Sequence, residues 1–139
     1  MANRIFQYRP LSTDLAALLL RITVGGIFIY YGYMKLSGYN EMVKMMGDPI
    51  GLGPSLSLQL VIFAEFFCGA FVLLGFLTRL TIIPIAIVMT VAYFISHAND
   101  PFLTKHTVLI YLFLSVVIFI LGSGRFSLDA LLFKNSNRG

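Results

Sequence analysis

The sequence predicts an all-α membrane protein, a four-transmembrane-helix bundle, and three observations carry this prediction. The chain of 139 residues is 58% hydrophobic and only 12% charged, about half the charged share of a soluble domain. It contains four apolar segments, each near the roughly 20 residues that a helix needs to cross a bilayer. The connections between them are short, except the first. This length predicts a single domain over residues 1–139.

The first segment begins after Ser12 or Thr13, either of which can cap a helix, and Arg21 is the charged residue in its interior. Pro54 precedes the second segment, whose interior holds Glu65. The third contains Pro84 close to its start, where a proline costs a helix little. The fourth is the most uniformly apolar. The predicted spans are 11–36, 57–77, 80–96 and 104–121.

The long first connection, residues 37–56, predicts a short amphipathic helix. Its apolar residues Tyr39, Met42, Val43 and Met46 recur at helical spacing and are followed by a turn rich in glycine and proline. We expect this helix to cover one mouth of the bundle.

The basic residues predict the orientation of the chain. Four spans place both termini on one side, and that side carries more lysine and arginine than the other, which indicates a cytoplasmic location for the termini. The net charge of +4 is too small and dispersed for a nucleic-acid partner and suits a lipid bilayer with anionic headgroups. The residues counted are Arg4, Arg9, Arg79, Arg125, Lys134 and Arg138 on the side of the termini, and Lys35, Lys44 and Lys105 opposite.

Arg21 and Glu65 are the first candidates for function, because an ionisable side chain at mid-membrane depth is costly unless it faces a partner or a polar cavity. Each lies roughly nine or ten residues into its segment, or about 13–15 Å at the rise of a helix. Because the two segments run antiparallel, similar depths predict a direct or water-bridged ion pair. Such a pair is either a structural lock between helices or part of a ligand site or proton relay.

Tyr31 and Lys35 form a second candidate group, because residues four apart share one face of a helix. Gly32 beside them would let a planar ligand approach the backbone. Glu65 is an alternative partner for Lys35, since the second segment begins on that side of the membrane. In the other interpretation, the tyrosine anchors the chain at the membrane interface and the lysine extends to the headgroups.

His97 and His106 flank the connection between the third and fourth segments, with Asp100 between them. No compact spacing such as HxxxH or HExxH is present, so no metal site is predicted. We expect the two histidines at the mouth of the bundle, where they can titrate or donate hydrogen bonds. The single cysteine, Cys68, excludes an intrachain disulfide and is expected to pack as a small residue.

Three stretches of the chain form an ordered pattern that is specific for one family. They are LLLRITVGGIFIYYGYMKLSG at 18–38, AEFFCGAFVLLGFLTRL at 64–80 and GSGRFSLDALL at 122–132. Together they resemble the DoxX family of small bacterial membrane proteins, which is similar to the DoxD subunit of thiosulfate:quinone oxidoreductase. Two positions depart from the family pattern, because relatives often carry a histidine at Tyr31 and an acidic residue near His106.

The resemblance implies a four-helix bundle in the bacterial cytoplasmic (inner) membrane and a link to redox or oxidative-stress physiology. It also implies a quinone-like ligand between the first two helices, with Arg21, Tyr31 and Lys35 as donors and Glu65 passing protons. The sequence contains no haem ligand pair, flavin fingerprint or iron–sulfur cysteine set. We therefore expect no intrinsic cofactor, and electrons would come from a partner oxidoreductase or from a bound substrate.

Three functions stay open at this point. The buried charges favour a redox-linked protein that binds a quinone-like ligand, whether or not it is itself an oxidoreductase subunit. The absence of redox groups favours a non-catalytic scaffold or accessory subunit of a partner oxidoreductase. A small transporter component would need to oligomerise to form a path. A homo-oligomer could form through the glycine-bearing face of the first segment.

Overall fold

The computed structural model describes residues 5–133 and confirms the predicted fold class. Within this range, four helices are long and apolar enough to span a membrane, and their ends lie within three residues of the predicted ones. The prediction of one domain over the whole chain stays a prediction. The long helices are α1 (Thr13–Ser37), α3 (Pro54–Leu74), α4 (Thr78–Ser96) and α5 (Phe102–Leu121), and the short ones are α2 (Tyr39–Met46) and α6 (Leu128–Leu132).

The first helix begins and ends as its sequence predicts. The Ser12 side chain accepts a hydrogen bond from the Leu15 amide, which satisfies one of the free donors at the start of a helix. Asp14 in the first turn and Lys35 in the last both complement the helix dipole.

Glycines set the close contact between α1 and α3. A Cβ atom on Gly25 would lie 2.8 Å from the Gly69 carbonyl oxygen, and one on Gly32 would lie 2.6 Å from the Phe66 amide nitrogen. Only hydrogen fits at these two positions, which fixes the register of the pair. Gly26, by contrast, faces open space. The face that carries Gly25 and Gly32 is thus occupied by α3 within one chain, so these two glycines are not available to a second copy, and homo-oligomerisation stays a prediction.

The core is a single apolar cluster where the four long helices meet. Each of the four long helices contributes at least one apolar side chain to this cluster. Many large apolar side chains on the outer faces of the bundle are exposed, which suits contact with lipid. Cys68 packs in this cluster as predicted. The cluster consists of Val24, Phe28, Cys68, Val72, Ile82, Ile85, Met89 and Ile118.

The predicted amphipathic helix of the first connection is α2, and side chains fasten it to α3. The Tyr39 hydroxyl lies 2.8 Å from the Ser55 hydroxyl, and the Gln59 amide donates a hydrogen bond to Tyr39 at 3.1 Å. These bonds, chiefly the one with Ser55, lower the pKa of Tyr39. The helix therefore covers the end of the α1–α3 pair, as the sequence indicated.

Candidate functional site

Arg21 is buried, but it does not pair with Glu65, so the predicted Arg21–Glu65 ion pair is wrong. Arg21 is 1% exposed. Its guanidinium donates hydrogen bonds to the carbonyl oxygen of Leu73 at 3.1 Å and to that of Phe126 at 2.6 Å. Leu73 belongs to the last turn of α3, where helix carbonyls lack partners and the dipole is negative. Arg21 therefore closes the end of α3 against the residues that follow α5.

The register of α1 and α3 explains this correction. Arg21 lies level with Leu73, eight residues beyond Glu65 along α3, which is about 12 Å at the rise of a helix. Glu65 instead lies level with the last turns of α1, next to the Gly32–Phe66 contact. The two charges are buried in the same helix pair, but Arg21 lies level with the end of α3 whereas Glu65 lies near the middle of α3.

The segment after α5 folds back onto the Arg21 end of the bundle. The Asp129 carboxylate accepts hydrogen bonds from the amides of Leu77 and Thr78, at 2.7 Å and 3.2 Å, and from the Ser123 hydroxyl. It thereby caps α4 and supports Leu77, which has a φ of 48°, a left-handed conformation that is uncommon for this residue type. We call the set Arg21, Leu73, Phe126 and Asp129 the carbonyl lock.

A surface cleft of about 580 Å³ lies beside the carbonyl lock, with Arg79, Arg125 and Asp14 among its lining residues. The Arg79 guanidinium donates to the Phe119 carbonyl at 3.0 Å, and the Asp14 carboxylate accepts from the Arg125 amide at 3.0 Å. The Arg79 guanidinium and the Asp14 carboxylate are thus engaged in holding the chain together. The cleft is therefore best explained as the surface of the folded-back segment.

Lys35 and Glu65 form an ion pair between the last turn of α1 and the middle of α3, which is the alternative pairing that the sequence left open. The Lys35 ammonium lies 2.6 Å and 2.7 Å from the two carboxylate oxygens of Glu65. The Glu65 side chain is 3% exposed, whereas that of Lys35 is 24% exposed. The carboxylate is thus enclosed by protein, and the lysine connects it to the surroundings.

A π-helical turn, Phe63–Cys68, carries Glu65 into this position. Such a turn inserts one extra residue into a helix, and π turns are frequent at functional sites. On the other side of the contact, Gly32 meets the backbone and side chain of Phe66. The expected approach of a planar ligand to the Gly32 backbone is therefore wrong, because α3 occupies that space.

Aromatic rings pack between α1 and α5, one helical turn before Lys35. Tyr31 lies 6.5 Å from Tyr111 of α5 between ring centroids, and Phe28 lies 5.3 Å from Tyr111. Tyr31 is 38% exposed, so it is accessible at the bundle surface. The sequence did not single out Tyr111, although a hydroxyl roughly 14 Å into an apolar helix is the signal that could have done so.

His97 follows α4 directly and His106 lies in the second turn of α5, so the two flank the connection as predicted, and each bonds within its own segment. His97 Nδ1 lies 2.7 Å from the Asp100 carboxylate, and His106 Nδ1 lies 2.8 Å from the Leu103 carbonyl. Between them, the Lys105 ammonium stands 4.5 Å from the centre of the Tyr93 ring. No group of three or more histidine, cysteine or acidic side chains placed to hold a metal occurs in residues 5–133. Their role at the mouth stays a prediction.

The comparisons with known proteins agree on the family. The model of the DoxX family matches residues 16–98. "Inner membrane protein YqjF" of Escherichia coli (strain K12) is 33% identical over 127 residues, which cover 87% of this chain and 95% of the relative. "Putative oxidoreductase CatD" of Bacillus subtilis (strain 168) is 29% identical over 129 residues, which cover 92% and 95%. No solved structure matches the chain.

Proposed function

The chain belongs to the DoxX family, and we propose that it is a redox-associated protein of the bacterial inner membrane that binds a quinone-like small ligand beside the Lys35–Glu65 pair. The observation that carries this proposal is the enclosed Glu65 carboxylate, whose lysine partner is one quarter exposed. One relative bears the name of an oxidoreductase and another that of an inner membrane protein, which supports the setting.

The chemistry of the donors fits such a ligand at one end of the bundle and not at the other. A quinone is flat and apolar with carbonyl acceptors at its edge, so it needs aromatic walls and a few donors. Tyr31, Tyr111 and Lys35 meet this need. Arg21 does not, because its two terminal nitrogens already donate to carbonyls and the residue is 1% exposed.

A purely structural role explains the Lys35–Glu65 pair less well. Replacing a buried ion pair by apolar residues is often neutral or stabilising, so stability alone is a weak reason to keep one. The helix contact here already has its own basis in the glycines of α1. In addition, the carboxylate lies in a π turn, a feature that is frequent at functional sites.

A bound quinone would supply two-electron, two-proton chemistry from the lipid phase. The contribution of this chain would be to offer the exposed Tyr31 ring, with Tyr111 in edge contact behind it, as an aromatic surface for the ligand and to keep a proton-exchanging carboxyl, Glu65, near it. Lys35 would set the charge of that carboxyl and offer a donor to the ligand. Electrons would reach the site from a partner oxidoreductase or from a second bound substrate.

The test is direct binding, with a control that the chain itself provides. We would purify the protein in mild detergent, identify co-purifying lipids by mass spectrometry and titrate a short-chain ubiquinone. Lys35→Met and Glu65→Gln should each weaken quinone binding at least ten-fold. Lys44→Met and Glu41→Gln change the same residue types in an exposed ion pair on α2, and they should bind as the wild type does.

A folded, ligand-free protein that binds no added quinone would refute the proposal. Equal weakening by the α2 variants would also refute it, because the effect would then follow from charge rather than from the site. Co-purification of a reductase without quinone would favour the accessory-subunit function instead.

A further inference from the structure

The two buried charged groups of the α1–α3 pair differ in what separates them from water. At one end, the carbonyl lock encloses Arg21, which is 1% exposed, beneath the segment that follows α5. At the other end, the Lys35 side chain is 24% exposed while it holds the Glu65 carboxylate. The first group is sealed by protein, and the second has a connection to the surface.

A dry layer lies between the two groups. Along α3 it contains Cys68 and Val72, and α1 contributes Val24 and Phe28, all of which are at most 3% exposed. α4 and α5 close the same layer with Ile82, Ile85 and Ile118, each at most 1% exposed. Because Glu65 and Leu73 are eight residues apart, this layer is about 12 Å thick. The buried Ser115 of α5 donates its hydroxyl to the Tyr111 carbonyl of its own helix, so this close-packed layer offers no continuous polar route between the two groups.

The exposed side of the pair faces the end of the bundle that carries α2. Lys35 is in the last turn of α1, only three residues before Gly38, where α2 follows. Tyr31 and Lys35 lie on one face of α1 because they are four residues apart. The exposed member of the pair, Lys35, therefore lies nearer the end of the bundle that carries α2 than the end that carries α6.

We propose that the Glu65 carboxyl exchanges protons with one side of the membrane only, namely the side that carries α2 and the α4–α5 connection. Small polar solutes reach position 65 from that same side. The functional meaning of this inference rests on the proposed function, because it names the side of the membrane from which protons would reach a ligand bound beside Glu65. Its geometry requires no ligand. In this arrangement the opposite side, which carries α6, has no access to the carboxyl.

Thiol labelling in sealed vesicles tests this sidedness. In a Cys68→Ala background, we would introduce Glu65→Cys and add a negatively charged, membrane-impermeant methanethiosulfonate to right-side-out and to inverted vesicles. Met45→Cys and Leu131→Cys report the two sides, because these residues are 78% and 75% exposed on α2 and α6. Glu65→Cys should react at least ten times faster in the vesicle orientation that labels Met45→Cys.

Val72→Cys is the matched negative control, since it lies on α3 within the dry layer and is 0% exposed. It should stay unlabelled in both orientations. Should Glu65→Cys fail to fold, Lys35→Cys replaces it with the same expectation. Labelling from the Leu131 side, equal labelling from both sides, or no labelling of either site variant would overturn the inference.

The outcome is independent of whether a quinone binds. One-sided labelling without any quinone binding would leave the inference in place and refute the proposed ligand. Two-sided labelling with tight quinone binding would do the opposite.

Discussion

Replacing Arg21 by methionine separates the structural charge of this membrane bundle from the functional one. Methionine has a similar length and no charge, so Arg21→Met removes both hydrogen bonds to the Leu73 and Phe126 carbonyls and little of the volume. The change detaches the end of α3 from the segment that follows α5. Glu65 lies about 12 Å away along α3 and Lys35 about 21 Å away along α1, so both should stay in place.

The magnitude follows from the number and the kind of the bonds. A hydrogen bond that involves a charged group contributes about 1.5–3 kcal/mol, so the two bonds together contribute about 3–6 kcal/mol. Part of this is offset, because the variant no longer buries a guanidinium. We therefore expect Arg21→Met to lower the free energy of unfolding by about 2–4 kcal/mol.

Arg79→Met is the matched control for this substitution. Its guanidinium also donates to two carbonyls, those of Phe119 and Ile120, at 3.0 Å and 3.3 Å, but Arg79 is exposed. Water can replace the lost bonds there, so its cost should be below about 1 kcal/mol. The free energy of unfolding of both variants would be measured by titrating SDS into the mild-detergent micelles and following the loss of helix by far-UV circular dichroism.

Two results would contradict this reasoning. Equal losses for Arg21→Met and Arg79→Met would show that burial does not govern the value of these bonds. A stable Arg21→Met protein that has lost quinone binding would show that Arg21 belongs to the ligand site, contrary to the geometry described above.

Three further predictions concern packing, capping and the aromatic rings. Gly32→Ala should destabilise the bundle by about 1–3 kcal/mol in the same unfolding assay, because a Cβ there overlaps the α3 backbone; Gly26→Ala, which faces open space, should be neutral or slightly stabilising, and equal effects would refute the glycine contact. Asp129→Ala should cost about 1–2 kcal/mol and speed amide hydrogen exchange at the start of α4, and unchanged exchange would contradict its capping role. Tyr31→Phe should weaken quinone binding about five-fold, whereas Tyr33→Phe, 59% exposed, should not, and matched affinities would exclude a hydroxyl contact.

The positions of the four spanning helices could be predicted from hydropathy, because the membrane imposes a minimum apolar length on each. The short α2 helix was equally predictable from the spacing of its apolar residues. The orientation of the termini stays a prediction from the distribution of basic residues, of which Arg4, Lys134 and Arg138 lie outside the described residues. Homo-oligomerisation and a partner oxidoreductase likewise stay predictions.

The partner of Glu65 could not be chosen from depth alone. The depth estimate assumed that α1 and α3 end at the same level, but α3 ends at Leu74, almost level with Arg21, while α1 extends eight residues further to Thr13, about 12 Å. The segment after α5 fills the space beside that extension, where the Asp14 carboxylate binds the Arg125 amide. A contact between residues this far apart in the sequence cannot be predicted from a hydropathy profile.

The ordered pattern that resembles the DoxX family divides between the two ends of the bundle, and this division bears on what family membership can explain. Arg21 and Asp129, from the first and third stretches, both bond backbone groups near the end of α3 and the start of α4, so they specify the scaffold. Lys35 and Glu65, from the first and second stretches, form the enclosed pair at the other end. A relative can therefore share the whole scaffold and still differ in its chemistry, through residues such as Tyr31 that line the pair without holding the fold together.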